Sequence, residues 1–144
     1  MNLFKRCMII LLLFISYTCI CAISYANAVS SDLAESVFRL HIIANSDTKE
    51  DQDLKLLVRD NVLSYMKEIA SNVSSKEEAI NLVNAHLDDF QKIARETIVS
   101  QGYDYDVSLE IGKFDFPTKV YGDISLPSGM YDALRIKIRW KCWT

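Results

Sequence analysis

The chain has 144 residues, of which 50% are apolar and 24% are charged, the balance of one ordinary globular domain. Its formal net charge is −3. A mildly acidic chain lacks the concentrated positive charge that nucleic-acid binding requires, so we predict no nucleic-acid partner.

The N-terminus has the features of a leader at residues 1–28. Lys5 and Arg6 precede a charge-free stretch at residues 7–23, and residues 26–28 (Ala-Asn-Ala) then supply a small-residue cleavage signature. Because the basic start stays in the cytoplasm, the rest of the chain would emerge on the far side of the membrane. We predict a signal peptide that engages the secretion machinery and the membrane and is then removed, so that the protein is secreted.

Two other interpretations of the leader stay open. An uncleaved membrane anchor is the runner-up, because the 17 uncharged residues at 7–23 approach the roughly 20 that cross a bilayer. A lipid-modified cysteine at Cys19 or Cys21 is third, since Thr18 and Ile20 fit poorly at the position before such a cysteine.

Residues 29–144 are predicted to form a single exported domain. This part keeps 14 of the 16 basic residues and all 19 acidic ones, which leaves it acidic. Cys142 is its one cysteine, so the domain forms no internal disulfide and must be held together by its core. An unpaired exported cysteine either bonds another molecule or has no partner, and the sequence leaves the role of Cys142 open.

A strand and a helix begin this domain. Residues 37–44 are β-branched and aromatic with apolar side chains on both faces, which predicts a central strand. Residues 45–48 form a turn and helix-capping cluster, in which Asp47 and Glu50 have the spacing of a capping pair. Apolar residues then recur at helical spacing and predict a first helix over residues 49–70.

A second helix follows after a short connection. Ser74 and Ser75 each precede a glutamate by three positions, a doubled capping-box signal, and an apolar stripe extends from there to Ile98. Gly102 ends the helix, because glycine accepts the left-handed backbone conformation that is favoured just past a last turn. Two helices joined so closely are predicted to pack as an antiparallel hairpin.

The last third of the chain changes to alternating patterns. Residues 105–111 predict a half-buried strand, which a Phe-x-Phe segment extends until Pro117 stops it. Residues 118–129 predict a long loop, and residues 133–139 predict a further strand. The order β-α-α-β-β predicts an α+β fold, in which a two-helix hairpin covers one face of a small, mostly antiparallel sheet.

Catalytic and metal-binding groupings are sparse. His41, His86 and Cys142 lie far apart, and no C-x-x-C or H-x-x-x-H spacing is present, so we predict no metal and no cofactor. His41 with Ser46 and Asp47 suggests a hydrolase grouping. A mid-strand histidine and helix caps explain these positions more simply, and no G-x-S-x-G elbow supports a nucleophile. We therefore predict that the protein is not an enzyme, with a secreted hydrolase of unknown substrate as the alternative.

Aromatic and methionine side chains concentrate around the loop at residues 114–131. They either cap the core of the sheet or form a protein-binding surface, where such residues are enriched. The candidate partner-binding residues are Phe114, Phe116, Tyr121, Leu126, Pro127 and Tyr131.

The last strand alternates basic and apolar side chains over residues 135–141. One solvated basic face is the simpler interpretation. Contact with an anionic membrane surface, helped by Trp140 and Trp143, is the sharper one. Separately, with the leader retained as an anchor, a membrane-anchored structural module is a further alternative function.

Three separated segments carry a family resemblance. Residues 38–47 read FRLHIIANSD, residues 116–122 read FPTKVYG, and residues 126–136 read LPSGMYDALRI. Together with DQDLK at residues 51–55, they resemble stage II sporulation protein R of endospore-forming bacteria. The motif positions that we single out are Arg39, His41, Asn45, Ser46, Asp47, Pro117, Gly122, Gly129 and Arg135.

The resemblance implies an intercompartmental signal. Proteins of this family look like signals made in the forespore and exported into the space between the forespore and mother-cell membranes. There they are needed for a membrane-embedded aspartic protease, the sigma-E processing peptidase, to activate itself and cleave the pro-sequence from the sporulation sigma factor sigma-E. The resemblance thus implies a ligand of that protease and not an enzyme.

This sequence departs from the family at its end. Members of the family continue past the last strand with a Gly-rich stretch and an Asn-Trp-Trp-Cys segment followed by Pro. Here residues 138–144 read IRWKCWT, which we interpret as a shortened ending. No family role is carried onto Trp140, Cys142 or Trp143.

Overall fold

The computed structural model describes residues 3–122 and 124–140. Helices and strands both occur in this part of the chain, with a mixed sheet, so the predicted α+β fold class is confirmed. In chain order the elements are α1 (Leu3–Ser36), β1 (Phe38–Ile43), α2 (Lys49–Ile69), α3 (Lys76–Ala85), α4 (Leu87–Ser100), β2 (Tyr105–Phe116), β3 (Lys119–Tyr121), β4 (Ile124–Leu126) and β5 (Gly129–Trp140).

Most of the leader lies in the first helix, α1, which continues past residue 28 as far as Ser36. Its segment Leu3–Ala26 has 24 residues and a mean hydropathy of 2.5, and its side chains are exposed in the structure. Such a helix is about 36 Å long, against about 30 Å of hydrocarbon in a bilayer. Length and composition suit a signal sequence and an anchor equally, so cleavage after residue 28 stays a prediction. Cys19 and Cys21 are exposed on α1, whereas Cys142 lies outside the described residues.

The three-stranded sheet has the order β1-β5-β2. β5 lies in the centre, antiparallel to β2 along its full length and parallel to β1, with Leu40 beside Leu134. β1 is therefore an edge strand, and the prediction of a central strand at residues 37–44 was wrong. One face of the strand packs Phe38, Leu40 and Ile42 against the helical core, and on the other face Arg39 and His41 contact the aromatic ring of Phe116.

The first predicted helix is confirmed as α2. Thr48 is its N-cap, with an extended backbone and a side-chain oxygen that accepts a hydrogen bond from the N–H of Asp51. The predicted capping pair of Asp47 and Glu50 was wrong by one residue. The side chain of Asp47 stays exposed, and the chain enters the helix only after Thr48.

The second predicted helix is divided into α3 and α4 at His86. Its start is confirmed: the Ser75 hydroxyl accepts from the N–H of Glu78, and the Glu78 carboxylate accepts from the N–H of Ser74. The prediction of one continuous helix was wrong, because His86 has φ −115° and ψ 19°, outside helical geometry. Gly102 follows the last turn of α4 with φ +83°, as expected.

One face of the sheet carries the main core, beneath α2 and α4. The predicted helical cover on one face of the sheet is therefore present. Removal of this apolar surface from water is the dominant favourable contribution to folding. The buried side chains of this core are Leu54, Val58, Val62, Val83, Phe90, Ala94, Ile98, Tyr105, Val107, Leu134, Ile136 and Ile138.

A small hairpin occupies residues 118–129, where a loop was predicted. β3 and β4 are antiparallel, with Val120 beside Ser125, and they continue beyond the end of the long β2–β5 pair. Gly122 follows β3 with φ +59°, a conformation that residues with a Cβ adopt rarely. The loop prediction was incomplete because strands of three residues are too short for alternation to reveal.

Candidate functional site

The face of the sheet turned away from α2 and α4 carries the candidate site, and we call it the open face. Successive residues of a strand point to opposite faces, so the alternation that buries one set of side chains under the helices places the next set here. The residues of the open face that form the candidate site are Arg39 and His41 of β1, Tyr131, Ala133 and Arg135 of β5, and Phe114 and Phe116 of β2.

Arg39 lies between two aromatic rings on the open face. Its guanidinium carbon is 4.1 Å from the ring centroid of Phe116 and 4.8 Å from that of Tyr131. The Tyr131 hydroxyl donates to the Pro127 carbonyl at 2.7 Å, which holds its ring in position. Arg39 pairs in register with Ala133, whose small side chain leaves room for the guanidinium. The two rings thus hold a cation that is only 8% exposed.

Arg135 lies on a second aromatic ring. Its guanidinium carbon is 3.4 Å from the ring centroid of Phe114. The Phe114 ring in turn lies over Gly112, where an added Cβ would approach a ring atom to 3.3 Å. Glu110, the neighbour of Arg135 in register, forms its ion pair with Lys137 at 3.1 Å instead. The Arg135 guanidinium therefore rests on an aromatic face, and the neighbouring carboxylate is engaged elsewhere.

His41 lies beside Phe116, with the two ring centroids 5.2 Å apart. Burial lowers the pKa of His41. The positive charges of Arg135, Arg39 and Lys55 lower the same pKa further. The imidazole is therefore neutral at pH 7 and does not add to the charge of the open face.

Three nitrogen atoms of the open face are buried without a hydrogen-bond partner. They are Arg39 Nη1, His41 Nδ1 and Arg135 Nε, and among the side chains that the structure describes no further buried N or O atom shares this condition. A buried donor left unpaired costs about 1–3 kcal/mol, and native structures contain few of them. Their concentration on one face makes this face the candidate site for an external hydrogen-bonding partner.

A cleft of about 310 Å³ opens beside Arg39 and His41, and we call it the β1 cleft. It contains the predicted partner-binding residues Phe116 and Tyr121 and the motif residue Pro117. Residues of the first two family motifs, at 38–47 and 116–122, thus line the same cleft. The residues that line it are Arg39, Leu40, His41, Ile42, Lys55, Asp115, Phe116, Pro117, Lys119 and Tyr121.

The other predicted partner-binding residues are placed around this cleft to different depths. Tyr131 is fully buried, so a role in binding would pass through Arg39, which rests on its ring. Phe114 is half-buried beneath Arg135, and Leu126 and Pro127 are half-buried where β4 ends. Contact of these side chains with a partner stays a prediction.

Two motif glycines shape the chain near the cleft. Gly122 provides the turn directly after β3, whose last residue, Tyr121, lines the cleft. Gly129 begins β5 directly opposite Phe116, so it lies where β5 starts to pair with β2 after β4 has ended. Both glycines therefore adjoin residues that line the cleft and have no side chain to contribute to it.

Asn45 and Ser46 of the first motif belong to a structural latch away from the open face. Both donate to Oδ2 of the buried Asp51, at 3.1 and 2.6 Å, and the Tyr105 hydroxyl donates to Oδ1 at 2.8 Å. Burial raises the pKa of Asp51, but the hydrogen bonds from Ser46, Asn45 and Tyr105 outweigh burial and lower it. Asn45 also accepts from the N–H of Trp140 at 3.0 Å. The latch thus ties the start of α2 to β2 and β5.

The hydrolase grouping is not assembled around His41. The hydrogen bonds of Ser46 are made with Asp51, Thr48 and Gln52, and none of those found in the described chain joins Ser46 to His41. Asp47 is exposed at the start of α2. Ser46 therefore belongs to the latch, Asp47 to the turn before α2, and His41 to the open face.

The second histidine stabilises the division between α3 and α4. His86 Nδ1 lies 3.0 Å from the Tyr65 hydroxyl and 2.9 Å from a carboxylate oxygen of Asp89, which the same hydroxyl reaches at 2.9 Å. Over the described ranges, no group of three or more His, Cys, Asp and Glu side chains suited to a metal is found.

Several residues of the site were not singled out from the sequence. Gly112 and Ala133 matter because they are small: one supports the Phe114 ring, and the other leaves room for Arg39. Lys55 reaches the cleft from α2. Their roles depend on strand register and helix placement, which the pattern of one segment does not contain.

Comparison with known proteins identifies similar sequences. A protein-family model described as Stage II sporulation protein R matches residues 34–141. The chain is 35% identical over 106 residues to Stage II sporulation protein R of Bacillus subtilis (strain 168). The aligned region is 74% of this chain and 47% of that relative, so the chain spans about half the length of the curated relative that it matches. No solved structure matches the chain.

Proposed function

The chain belongs to the stage II sporulation protein R family, and from that premise we propose that it is an exported signal that activates a membrane-embedded aspartic protease. A role in sporulation follows from the family itself. In this proposal the domain reaches the space between the forespore and mother-cell membranes. There it binds the sigma-E processing peptidase, which then removes the pro-sequence from the sporulation sigma factor sigma-E.

The leader helix supports the exported location. Leu3–Ala26 is predominantly apolar, with a mean hydropathy of 2.5, and lies near the N-terminus, as a secretion signal does. The segment would direct the domain across the forespore membrane, whether it is cleaved or retained as an anchor. The domain would face the intermembrane space in both cases, so the proposal does not depend on cleavage.

The open face is the observation that carries a docking role. Arg39, His41 and Arg135 come from two strands that are distant in sequence, and each holds a buried nitrogen without a partner. Stability alone does not favour such an arrangement, because unpaired buried donors destabilise a fold. A partner that supplied acceptors would relieve this cost on binding. The arrangement therefore supports action as a ligand.

The main test is genetic. Deletion of the gene from the bacterium that carries it is expected to leave pro-sigma-E uncleaved in sporulating cells, as measured by immunoblotting of mother-cell extracts. Expression of the full chain from the forespore should restore cleavage. Normal cleavage in the deletion strain would refute the proposal.

The export step has its own test. A chain without residues 1–28 should stay inside the forespore and fail to restore cleavage of pro-sigma-E, while an unrelated secretion signal placed before residue 29 should rescue it. Restored cleavage by the leaderless chain would contradict the exported location. N-terminal sequencing of the protein from sporulating cells then separates the two forms: a terminus at Val29 identifies a cleaved signal peptide, and a retained leader identifies an anchor.

A further inference from the structure

The β1 cleft runs along the free edge of a strand. Arg39, Leu40, His41 and Ile42 are consecutive, and their side chains alternate between the two faces of the sheet, yet all four line one cleft. A single cleft can border four such residues only if it follows the edge of the strand. β1 pairs with β5 on its other side, so the cleft borders the edge that the sheet leaves open.

The backbone of this edge is available for pairing. An edge strand presents N–H and C=O groups of alternate residues that the sheet does not use. In the described chain, the backbone hydrogen bonds made outside regular helices and strands do not involve Phe38–Ile43. An extended peptide laid in the cleft could therefore add to the sheet as a further strand, with main-chain hydrogen bonds supplying affinity.

The far wall of the cleft comes from the end of β2 and from β3. Phe116, Pro117 and Tyr121 supply rings, and Lys119 supplies an exposed ammonium group. The edge of β1 and this wall together form a groove in which a peptide contacts backbone on one side and side chains on the other. A flat sheet edge would lack this second set of contacts.

The charge of the groove is opposite to that of the chain. The lining includes Arg39, Lys55 and Lys119, against a single acid, Asp115, among the described residues that line it. The chain as a whole has a net charge of −3. Lys55 donates to the uncharged amide of Gln52, so its charge remains available. An acidic ligand is therefore favoured over a neutral or basic one.

The depth of Arg39 specifies the acidic group further. This side chain is more than nine-tenths buried, lines the cleft and has Nη1 unpaired, and Nδ1 of His41 is unpaired beside it. A carboxylate has two acceptor oxygens in one plane, which suits a guanidinium whose remaining donors are fixed by stacking between rings. Desolvated pairs of this kind are among the strongest hydrogen bonds in proteins.

We propose that the β1 cleft binds an extended, carboxylate-bearing segment of a partner protein, which pairs with the edge of β1 and places an Asp or Glu side chain on Arg39. The inference rests on the proposed function, since it names the chemistry by which the protease would be recognised. A strand edge forms hydrogen bonds with the backbone of a peptide, so the ligand that we propose is a protein. An anionic lipid surface is the competing source of negative charge.

Binding of synthetic peptides tests this inference. The probe is a short fluorescent peptide that alternates Val and Glu, and its controls are the same peptide with Gln for Glu and the Glu peptide N-methylated at alternate residues. Fluorescence anisotropy with the full chain in mild detergent at low ionic strength should show the Glu peptide binding about tenfold more tightly than either control. Equal binding of the Glu and Gln peptides would overturn the proposal.

Two cleft variants locate the site. Arg39→Met should weaken binding of the Glu peptide by about tenfold or more, because the buried partner of the carboxylate is lost. Lys119→Glu changes an exposed residue of the short strand β3, so folding is not at risk, and it should weaken the Glu peptide by several-fold. The matched control is Lys92→Met on α4, a cation that is 72% exposed and outside the cleft, and it should bind as the wild type does. Binding unchanged in both cleft variants would refute the site.

Vesicles and cells complete the test. Vesicles of phosphatidylglycerol should bind the wild type and Arg39→Met equally. If Arg39→Met lost vesicle binding and the wild type did not bind the peptides, the cleft would be assigned to lipid and the inference would be overturned. In cells, failure of the wild-type gene to restore pro-sigma-E cleavage would contradict the proposed function. Full restoration by a folded Arg39→Met chain would contradict only the cleft.

Discussion

The central strand β5 contributes different kinds of side chain to the two faces of the sheet. On the helix-covered face, β5 contributes Leu134, Ile136 and Ile138, all of them buried hydrocarbon. On the open face the same strand contributes Tyr131 and Arg135, where rings support cations. One face is thus built for removal of apolar surface from water, and the other holds charged groups in fixed positions.

The polar groups of the two faces differ in the same way. Near the helical core, Asp51 is buried and receives hydrogen bonds from three side chains. On the open face, the buried nitrogens of Arg39, His41 and Arg135 receive no partner. Polar groups buried for the fold are satisfied within the chain, and those left unsatisfied are the ones available to another molecule. Four variants test this difference.

The largest effect is expected in the helical core. Phe90 is fully buried and its ring meets that of Tyr65 at 5.2 Å between centroids. Phe90→Ala should lower the free energy of unfolding by about 3–5 kcal/mol, because it removes the ring and leaves a cavity. Urea unfolding followed by circular dichroism measures it. Val99→Ala, at an exposed position of the same helix, is the control and should change stability by less than about 0.5 kcal/mol.

The latch should give the next largest effect. Asp51→Asn is expected to cost about 2–3 kcal/mol at pH 7, because charge-assisted hydrogen bonds are lost and a buried amide faces three donors. The folded-state pKa of Asp51 is lowered, so its contribution is present above the unfolded value of about 3.9 and is lost as pH falls through the folded pKa. The variant should lack that acid-dependent loss.

The control for the latch is Asp53→Asn on the same helix. Asp53 is exposed and its partner Lys49 is exposed, so the change should be small. Unfolding curves measured between pH 7 and pH 3 compare the two variants. Equal destabilisation by both would mean that the latch is no more important than a surface ion pair.

Arg135 on the open face should affect signalling more than stability. Arg135→Met removes a cation–π contact worth about 0.5–1 kcal/mol but also removes an unpaired buried donor, so the free energy of unfolding should stay within about 1 kcal/mol of the wild type. Restoration of pro-sigma-E cleavage should decrease. The control is Arg95→Met, an exposed arginine of α4 paired with Asp106. A loss of stability near that of Phe90→Ala would place Arg135 in the structural core.

The smallest expected effect is the dependence of folding stability on pH that His41 causes. Its folded-state pKa is lowered by burial and by Arg135, Arg39 and Lys55, so the unfolded chain binds the proton more readily. Stability should therefore fall as pH drops below the unfolded value of about 6.5, and it should level off below the folded pKa.

A substitution of His41 isolates this effect. His41→Gln should make the free energy of unfolding less dependent on pH between pH 7 and pH 5, by less than about 1 kcal/mol. Ser108→Ala, an exposed change on β2 that adds and removes no charge, should keep the wild-type slope. An unchanged slope in His41→Gln would exclude the histidine as its source.

Short-range features were predictable because the residues that decide them lie within a few positions of each other. The extent of α2, the capping box at Ser75 and the end of α4 at Gly102 depend on hydrogen bonds and backbone angles within one or two turns. The alternation of β2 and β5 is local in the same sense. The motifs of the family were also readable as contiguous strings, and the family assignment is confirmed.

Motif membership alone did not separate residues of the site from residues of the fold. Asn45 and Ser46 belong to the same string as Arg39 and His41, yet the first pair holds Asp51 and the second pair lines the cleft. The placement of α2 against β2 and β5 decides this division, and the string does not contain it.

The amino-acid sequence alone determined the apolar leader, the extent of α2 and the alternation of β2 and β5, because these follow from the order of neighbouring residues. Tertiary structure decided that β1 lies at the edge, parallel to β5, and that His86 interrupts a helix. It also brought Arg39 and Arg135 onto one aromatic face. The pairing of β1 with β5 joins residues about a hundred positions apart. Such a pairing is selected by the packing of the whole domain, because no single segment contains the contacts that decide it.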